Sequence, residues 1–380
     1  MIFLALALVV KPFYMLPSGS FQVADLCMLI SFILIVSAEN FKITRILNDE
    51  DKFLRAFLLL VVIINLIYSV LYGEMAFLKS SLYMIFGYMV IIVARKLNTC
   101  DVFMSVLKNT CKINIIVQLV IYILKLGKWF EPGRYMATYN DPNQFAFAIS
   151  TSFLILYCIQ REKEEKSTWL YFIMCIFLVV TSASMGSLLL IAIFIIMSGA
   201  LFLNGLNKKQ KTTILITIIC LAAIMGMVII YQKNSYITEQ VTIFSNRLDE
   251  KIDRFTEYGN NGEKGSFFEL IVYDRNLRAA VNHPISFLYG SGEGLMSRFA
   301  PTDGELHSTW IALLFYYGVI PTSILIWWII NNLKNVDAYF IIANIAMFAE
   351  TWVMINYRQP TFWLLIILGS LYETRKKKGQ

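Results

Sequence analysis

The chain has 380 residues, 58% of them apolar and 16% charged, with a mean hydropathy of +0.63 and a formal net charge of +7. A soluble globular protein is about 45–50% apolar and about 25% charged, so a soluble enzyme, a nucleic-acid reader and a coiled coil are all excluded. Much of the positive charge lies in short runs at the ends of apolar segments, where membrane topology accounts for it, and no nucleic-acid partner is implied.

Apolar runs of about 17–25 residues mark membrane spans. Scanned in chain order, they give twelve candidates: 2–16, 22–38, 54–72, 79–94, 112–127, 144–160, 168–183, 187–204, 212–231, 308–330, 337–355 and 361–373. The first begins at Ile2 without a basic region or a small-residue cleavage site, so it reads as a retained span and not a signal peptide. Basic residues alternate from loop to loop. Nineteen fall in one set, from Lys42 and Arg45 to Lys376, Lys377 and Lys378, and few in the other. The positive-inside rule then places both termini in the cytoplasm. The expected fold class is an all-α polytopic membrane protein of about twelve transmembrane helices with one long helical outer loop between spans 9 and 10. Three regions result: helices 1–9 over 1–231, a structured outer loop over 232–306, and helices 10–12 with a basic cytoplasmic tail over 307–380.

The outer loop carries helical periodicity. In 239–256, Val241, Phe244, Leu248, Ile252 and Phe255 recur at helical spacing, while Arg247, Lys251 and Arg254 share another face. A second helix is expected over 266–282 with Arg275 and Arg278 one turn apart, ended by Pro284. Gly290, Gly292 and Gly294 then read as a flexible turn.

Six cysteines, none in an expected outer loop, imply no disulfide framework. No CxxC, HExxH or Asp-x-Asp pattern appears, so neither a metal site nor a cofactor is expected. The informative side chains are outer arginines, because guanidinium recognises phosphate bidentately and lipid phosphates are the abundant large anions at a membrane surface. Arg134 stands out within GRYMATYNDPNQFA, where Asn140, Asp141 and Asn143 share its short loop before the sixth span. A helix N-cap would account for Asp141 or Asn143, but not for Arg134. His307 opens the tenth span and is the candidate general base, with Asp303 and Glu305 close by in sequence. Its other reading is an interfacial histidine. Glu350 lies inside the eleventh span, a depth at which an ionisable group is a functional candidate unless it meets water or pairs with Arg358. Lys11 is expected to snorkel outward. Asn65, Asn114, Gln118 and Asn344 are expected to hydrogen-bond between helices.

These features together resemble the bacterial O-antigen polymerase and O-antigen ligase superfamily of multi-span glycosyltransferases. The layout resembles it over the whole chain. Three short motifs add to this: Arg134 followed by Asn140-Asp141-Pro142-Asn143; His283-Pro284-Ile285 followed by Gly290-Ser291-Gly292-Glu293-Gly294; and His307-Ser308-Thr309-Trp310-Ile311 followed by Gly318. The chain departs from the family pattern where Ser184-Met185-Gly186 replaces Ser-Arg-Gly, where Ser308 replaces Asn, and near Phe268, where the usual loop arginine is missing.

The resemblance implies transfer of a glycan from an undecaprenyl-pyrophosphate carrier to an acceptor hydroxyl at the outer face of a bacterial inner membrane. Arg134, with Arg275 or Arg278, would neutralise the leaving pyrophosphate, and His307 would take the acceptor proton. Asn140, Asp141, Asn143, Arg254 and Glu305 would bind substrate. Implied partners are the lipid-linked donor and acceptor, membrane lipids and a chain-length regulator protein. The favoured reading is a polymerase that joins lipid-linked repeat units into a surface polysaccharide, O-antigen or capsule. A ligase acting on lipid A-core is the close alternative, and a lipid-linked oligosaccharide flippase is the alternative of another class.

Overall fold

A computed structural model describes residues 1–15, 22–130, 133–162, 168–204, 275–299 and 304–379, with isolated positions between 242 and 272. The expected ninth span at 212–231, all but four positions of the expected loop helix at 239–256, and Arg254 lie outside the described residues.

The described residues form a helical bundle with one small β-hairpin. In chain order these are α1 (Ile2–Val10), α2 (Val23–Ala38), α3 (Asp51–Tyr72), α4 (Ala76–Leu97), α5 (Phe103–Ile123), β1 (Lys128–Phe130), β2 (Arg134–Ala137), α6 (Pro142–Glu162), α7 (Thr168–Ser182), α8 (Met185–Asn204), α9 (Arg278–Asn282), α10 (Ser286–Tyr289), α11 (Thr309–Tyr317), α12 (Val319–Leu333), α13 (Ala338–Thr351) and α14 (Pro360–Gly379). The antiparallel hairpin pairs Phe130 with Arg134 and Trp129 with Tyr135.

Five helices among the described residues, α3, α4, α5, α6 and α8, are long and apolar enough to cross a membrane. Shorter apolar helices are α2, α7, α12 and α13. Twelve full spans are therefore not what the described residues carry. The expected first span is helical only over the nine residues of α1, a rise of about 14 Å against a hydrocarbon core of about 30 Å. The expected tenth span is two helices, α11 and α12, broken at Gly318, whose φ is 82°.

The break has a physical cause. Ending α11 at Tyr317 frees the carbonyls of Phe315 and Tyr316 inside an apolar bundle, where each needs a donor. The backbone N–H groups of Ser291 and Gly292 donate to Tyr316 O at 3.0 and 2.8 Å, and Ser291 Oγ donates to Phe315 O at 3.0 Å. The glycine turn expected to be flexible is thus packed. A Cβ on Gly290 would lie 2.7 Å from Tyr316 O, and one on Gly292 would lie 2.9 Å from the Tyr68 ring. Arg298 Nη2 donates to the Ser291 and Gly292 carbonyls, and its guanidinium sits among the rings of Tyr68, Tyr72, Phe77 and Phe299. Charge and aromatic faces together pin the turn to the ends of α3 and α4.

At the centre of the bundle are α4, α6 and α14. Val90–Ala94 of α4 and Phe362–Leu368 of α14 are buried without interruption, so both helices are covered on every side over these stretches. The apolar stretch of α6 is 83% buried, against 28% for α3 and 22% for α8. This places α6 inside and leaves Leu59, Ile63 and Leu66 of α3 and Leu189, Ile195 and Ile196 of α8 on the periphery, where lipid would cover them. Small residues let the central helices approach closely. A Cβ on Gly87 would stand 2.3 Å from Trp363 Nε1, and Thr151 Oγ1 donates to Thr361 Oγ1 at 2.8 Å. The three asparagines expected between helices are there, while Gln118 bonds instead to the segment after β2. Asn65 reaches Ser81 at 2.9 Å, Asn114 reaches Leu8 O at 3.2 Å, Gln118 reaches Thr138 at 3.3 Å and Asn344 reaches Leu365 O at 3.2 Å. Lys11 does not snorkel. It pairs with Asp25 at 2.7 Å, with 13% of each side chain exposed.

The helix ends fall into two layers. In one, Asp51 accepts from Arg95 at 3.1 Å and from Trp328 Nε1 at 3.0 Å, while Arg95 also donates to Asn332 and Ser370. Lys96 pairs there with Glu39, and Lys376 pairs with Glu162 and Asp337. This is the basic end. The hairpin, the α7–α8 turn, the Gly290–Gly294 turn and the α13–α14 connection lie at the other, the hairpin end. The described helices alternate between these two layers. The Asp51–Arg95 pair joins α3, α4, α12 and α14. Asp51→Ala leaves a buried guanidinium uncompensated and should cost about 3–5 kcal/mol. Thermal unfolding in detergent should then show a clearly lowered Tm, and an unchanged Tm would refute the clasp.

Candidate functional site

The site candidates converge on the hairpin end. Strand β2 presents Arg134, which is 8% exposed. Its Nε donates to Ser182 O, the last residue of α7, at 3.2 Å, and its Nη2 donates to Asn143 Oδ1 at 2.9 Å. The guanidinium also faces the Phe130 ring at 5.9 Å. A cation at a helix C-terminus is favourable, so the end of α7 helps to fix Arg134. Asp141 is the N-cap of α6: its Oδ1 accepts from the backbone N–H of Asn143 at 2.8 Å and of Gln144 at 2.9 Å. Asn140 lies further out and accepts from Lys128 at 3.3 Å.

The α7–α8 turn passes from Arg134 toward a second arginine. Ala183 adopts a left-handed φ of 48°, and Ser184, Gly186 and Ser187 follow. A Cβ on Gly186 would meet the Val353 side chain at 2.7 Å, and Val353 O accepts from Arg275 Nη1 at 3.2 Å. Arg275 O in turn accepts from the backbone N–H of His307 at 2.9 Å. The path from Arg134 to His307 therefore runs through one helix turn, the end of α13 and Arg275. The His307 side chain is exposed, and Ser308 beside it caps α11 by accepting from Ile311 N at 3.4 Å. Arg278 is exposed at the start of α9. Arg275, through Val353 O and His307 N, is built into this end of the bundle.

Glu350 neither meets water nor pairs with Arg358. It is fully buried, accepts from Ser187 Oγ at 2.5 Å, and its Oε2 has no hydrogen-bond partner among the described residues. Arg358 turns instead to Glu293 at 2.8 Å and Glu305 at 3.1 Å.

Glu293 is the polar centre that sequence reasoning missed. At 3% exposure it accepts from Tyr317 OH at 2.5 Å, Tyr357 OH at 2.8 Å and Arg358 Nη2 at 2.8 Å, and its own N–H donates to Asn65 Oδ1 at 2.9 Å. Arg358 also stacks on the Tyr83 ring at 4.7 Å. Burial works against the Arg358 charge, but Glu293, Tyr357 and Glu305 outweigh it and hold the guanidinium pKa above its ordinary value. A lone acid between the second and third glycines of an otherwise apolar turn was the available signal. Among the described residues, no three His, Cys, Asp or Glu side chains come together as a metal site would need.

Compared with known proteins, the chain matches no family profile, no curated protein and no solved structure. The site's reading therefore rests on its own chemistry. Glu293→Ala strips the acceptor from two buried hydroxyls and one guanidinium. Thermal unfolding in detergent should show a loss of about 3–5 kcal/mol, with Glu293→Gln less affected. Wild-type stability in Glu293→Ala would remove the cluster from the fold's supports.

Proposed function

We propose that this chain is a polytopic glycosyltransferase of the bacterial inner membrane that polymerises undecaprenyl-pyrophosphate-linked repeat units into a surface polysaccharide. In this reading the basic end faces the cytoplasm, the hairpin end faces outward, and the chain crosses the membrane several times. The supporting observation is the buried guanidinium of Arg134, held by Ser182 O and Asn143 at the end where Arg275 and His307 also lie.

The chemistry is a displacement. The acceptor hydroxyl oxygen attacks the anomeric carbon of the donor sugar, and the bond from that carbon to the pyrophosphate oxygen breaks. The bonding electrons leave with the pyrophosphate. Arg134 and Arg275 neutralise the charge that develops there, which is where preorganised donors contribute most. His307 takes the acceptor proton. Its exposure suits a base that must meet an incoming sugar. A single displacement inverts the anomeric configuration.

A ligase acting on lipid A-core would use the same chemistry, and surface-polysaccharide gels separate the two. Arg134→Ala and His307→Ala should leave the protein in the membrane, abolish the ladder of long chains and still allow single repeat units to reach the surface. Normal ladders in both variants would defeat the site. Loss of even single-unit products, with polymer accumulating on the carrier, would favour the ligase. Lipid-linked units trapped on the cytoplasmic face would favour a flippase.

A further inference from the structure

Arg358 stands on the α13–α14 connection, with its two faces in different surroundings. Its inner edge is fixed: Nη2 donates to buried Glu293 at 2.8 Å, and the guanidinium plane lies on Tyr83. Its outer edge is held by Glu305 alone among the described carboxylates beyond Glu293. Nη1 donates to both oxygens of Glu305 at 3.1 Å, and Nη2, besides its bond to Glu293, donates to Glu305 Oε1 at 3.2 Å. The Glu305 side chain is 57% exposed, against 4% for Glu293. Arg358 Nε is buried without a hydrogen-bond partner among the described residues. One carboxylate is thus part of the packed interior, and the other closes an outward-facing guanidinium from the solvent side.

A carboxylate that takes both its oxygens to a guanidinium occupies the geometry a phosphate would take. Glu305 is also only two residues from His307, whose backbone N–H is held by Arg275. The segment 305–307 therefore runs from Arg358 to Arg275, and an anion that displaced Glu305 would lie beside the candidate base.

Resting on the pyrophosphate reading of this end of the bundle, we propose that Arg358 is a further pyrophosphate-binding residue and that Glu305 is its internal placeholder, released when the anion arrives. The ion pair with Glu293 keeps the guanidinium aimed outward in both states. Exchange needs only the exposed partner to swing away, and exposed ion pairs are weak enough for this. The residue lies outside the long loop, so the missing arginine near Phe268 would not leave the site short of cationic groups.

The test is binding of inorganic pyrophosphate and of farnesyl pyrophosphate to the full chain in lipid nanodiscs. Glu305→Gln keeps size and polarity but removes the competing charge. It should tighten binding of both probes by about two- to fivefold, the range an exposed ion pair is worth. Arg358→Lys in the Glu305→Gln background keeps a cation for Glu293 but loses the fork. It should weaken both by about tenfold, as expected for one charge-assisted hydrogen bond. Unchanged or weaker binding in Glu305→Gln would overturn the placeholder, and it can be read without any Arg358 variant. An effect confined to inorganic pyrophosphate would overturn the assignment to a lipid-linked substrate. If both probes respond as expected while chain-length ladders ignore Arg134→Ala, the polymerase reading falls and this anion site stands.

Discussion

Helix ends inside an apolar bundle expose carbonyl oxygens that water cannot reach, and this constraint shapes the hairpin end of the molecule. Several of these carbonyls have a donor from a distant part of the chain. Ser182 O at the end of α7 takes Arg134, and Val353 O beyond α13 takes Arg275. Phe315 O and Tyr316 O at the end of α11 take the Ser291–Gly292 turn, and Met354 O takes Thr309. A lost partner leaves an unsatisfied polar group in a low-dielectric interior, which is far costlier than its exposure in water. The same contacts bring residues far apart in sequence to one rim, so the fold's need to satisfy its helix ends and the assembly of the candidate site are one event.

Two of the donors are arginines, and this gives them a double character. A guanidinium on a helix C-terminus is stabilising in its own right, and that alone could account for Arg134 and Arg275. Yet Arg134 is held from two sides, donating to Ser182 O and to Asn143 Oδ1. Fixing a cation by its backbone contacts before a ligand arrives is what a preorganised anion site requires. Arg358 repeats the arrangement with Glu293 as its inner support.

Much of this could be read in the chain, and the exceptions have physical causes. The helical class and the alternation of basic loops follow from composition and charge, because burial in lipid and positive-inside placement act on those properties directly. The interhelical roles of Asn65, Asn114 and Asn344 were also legible, since a polar side chain in an apolar span must find a partner; Gln118 finds its partner, Thr138, outside the helices. The break at Gly318 was not. Residues 308–330 are uniformly apolar, and only the tertiary insertion of the Gly290–Gly294 turn divides them. Asp141 reads correctly as an N-cap because that motif is local. Glu293 and the pairing of Arg358 were hidden because their partners, Asn65, Tyr317, Tyr357 and Glu305, come from four separate segments. The short α1 was overread because an apolar run does not reveal where its helix stops.

The central claim is that the α7–α8 turn and the end of α13 meet, joining Arg134 to Arg275 and His307. Cysteines placed at Gly186 and Val353 in a chain freed of its own cysteines test this directly, because those positions touch. Mild oxidation in native membranes should cross-link them rapidly, while a pair at Gly186 and outward-facing Trp352, 57% exposed, should not respond. Failure of the first pair to cross-link, or equal cross-linking of both, would place the arginines in separate regions and contradict the account.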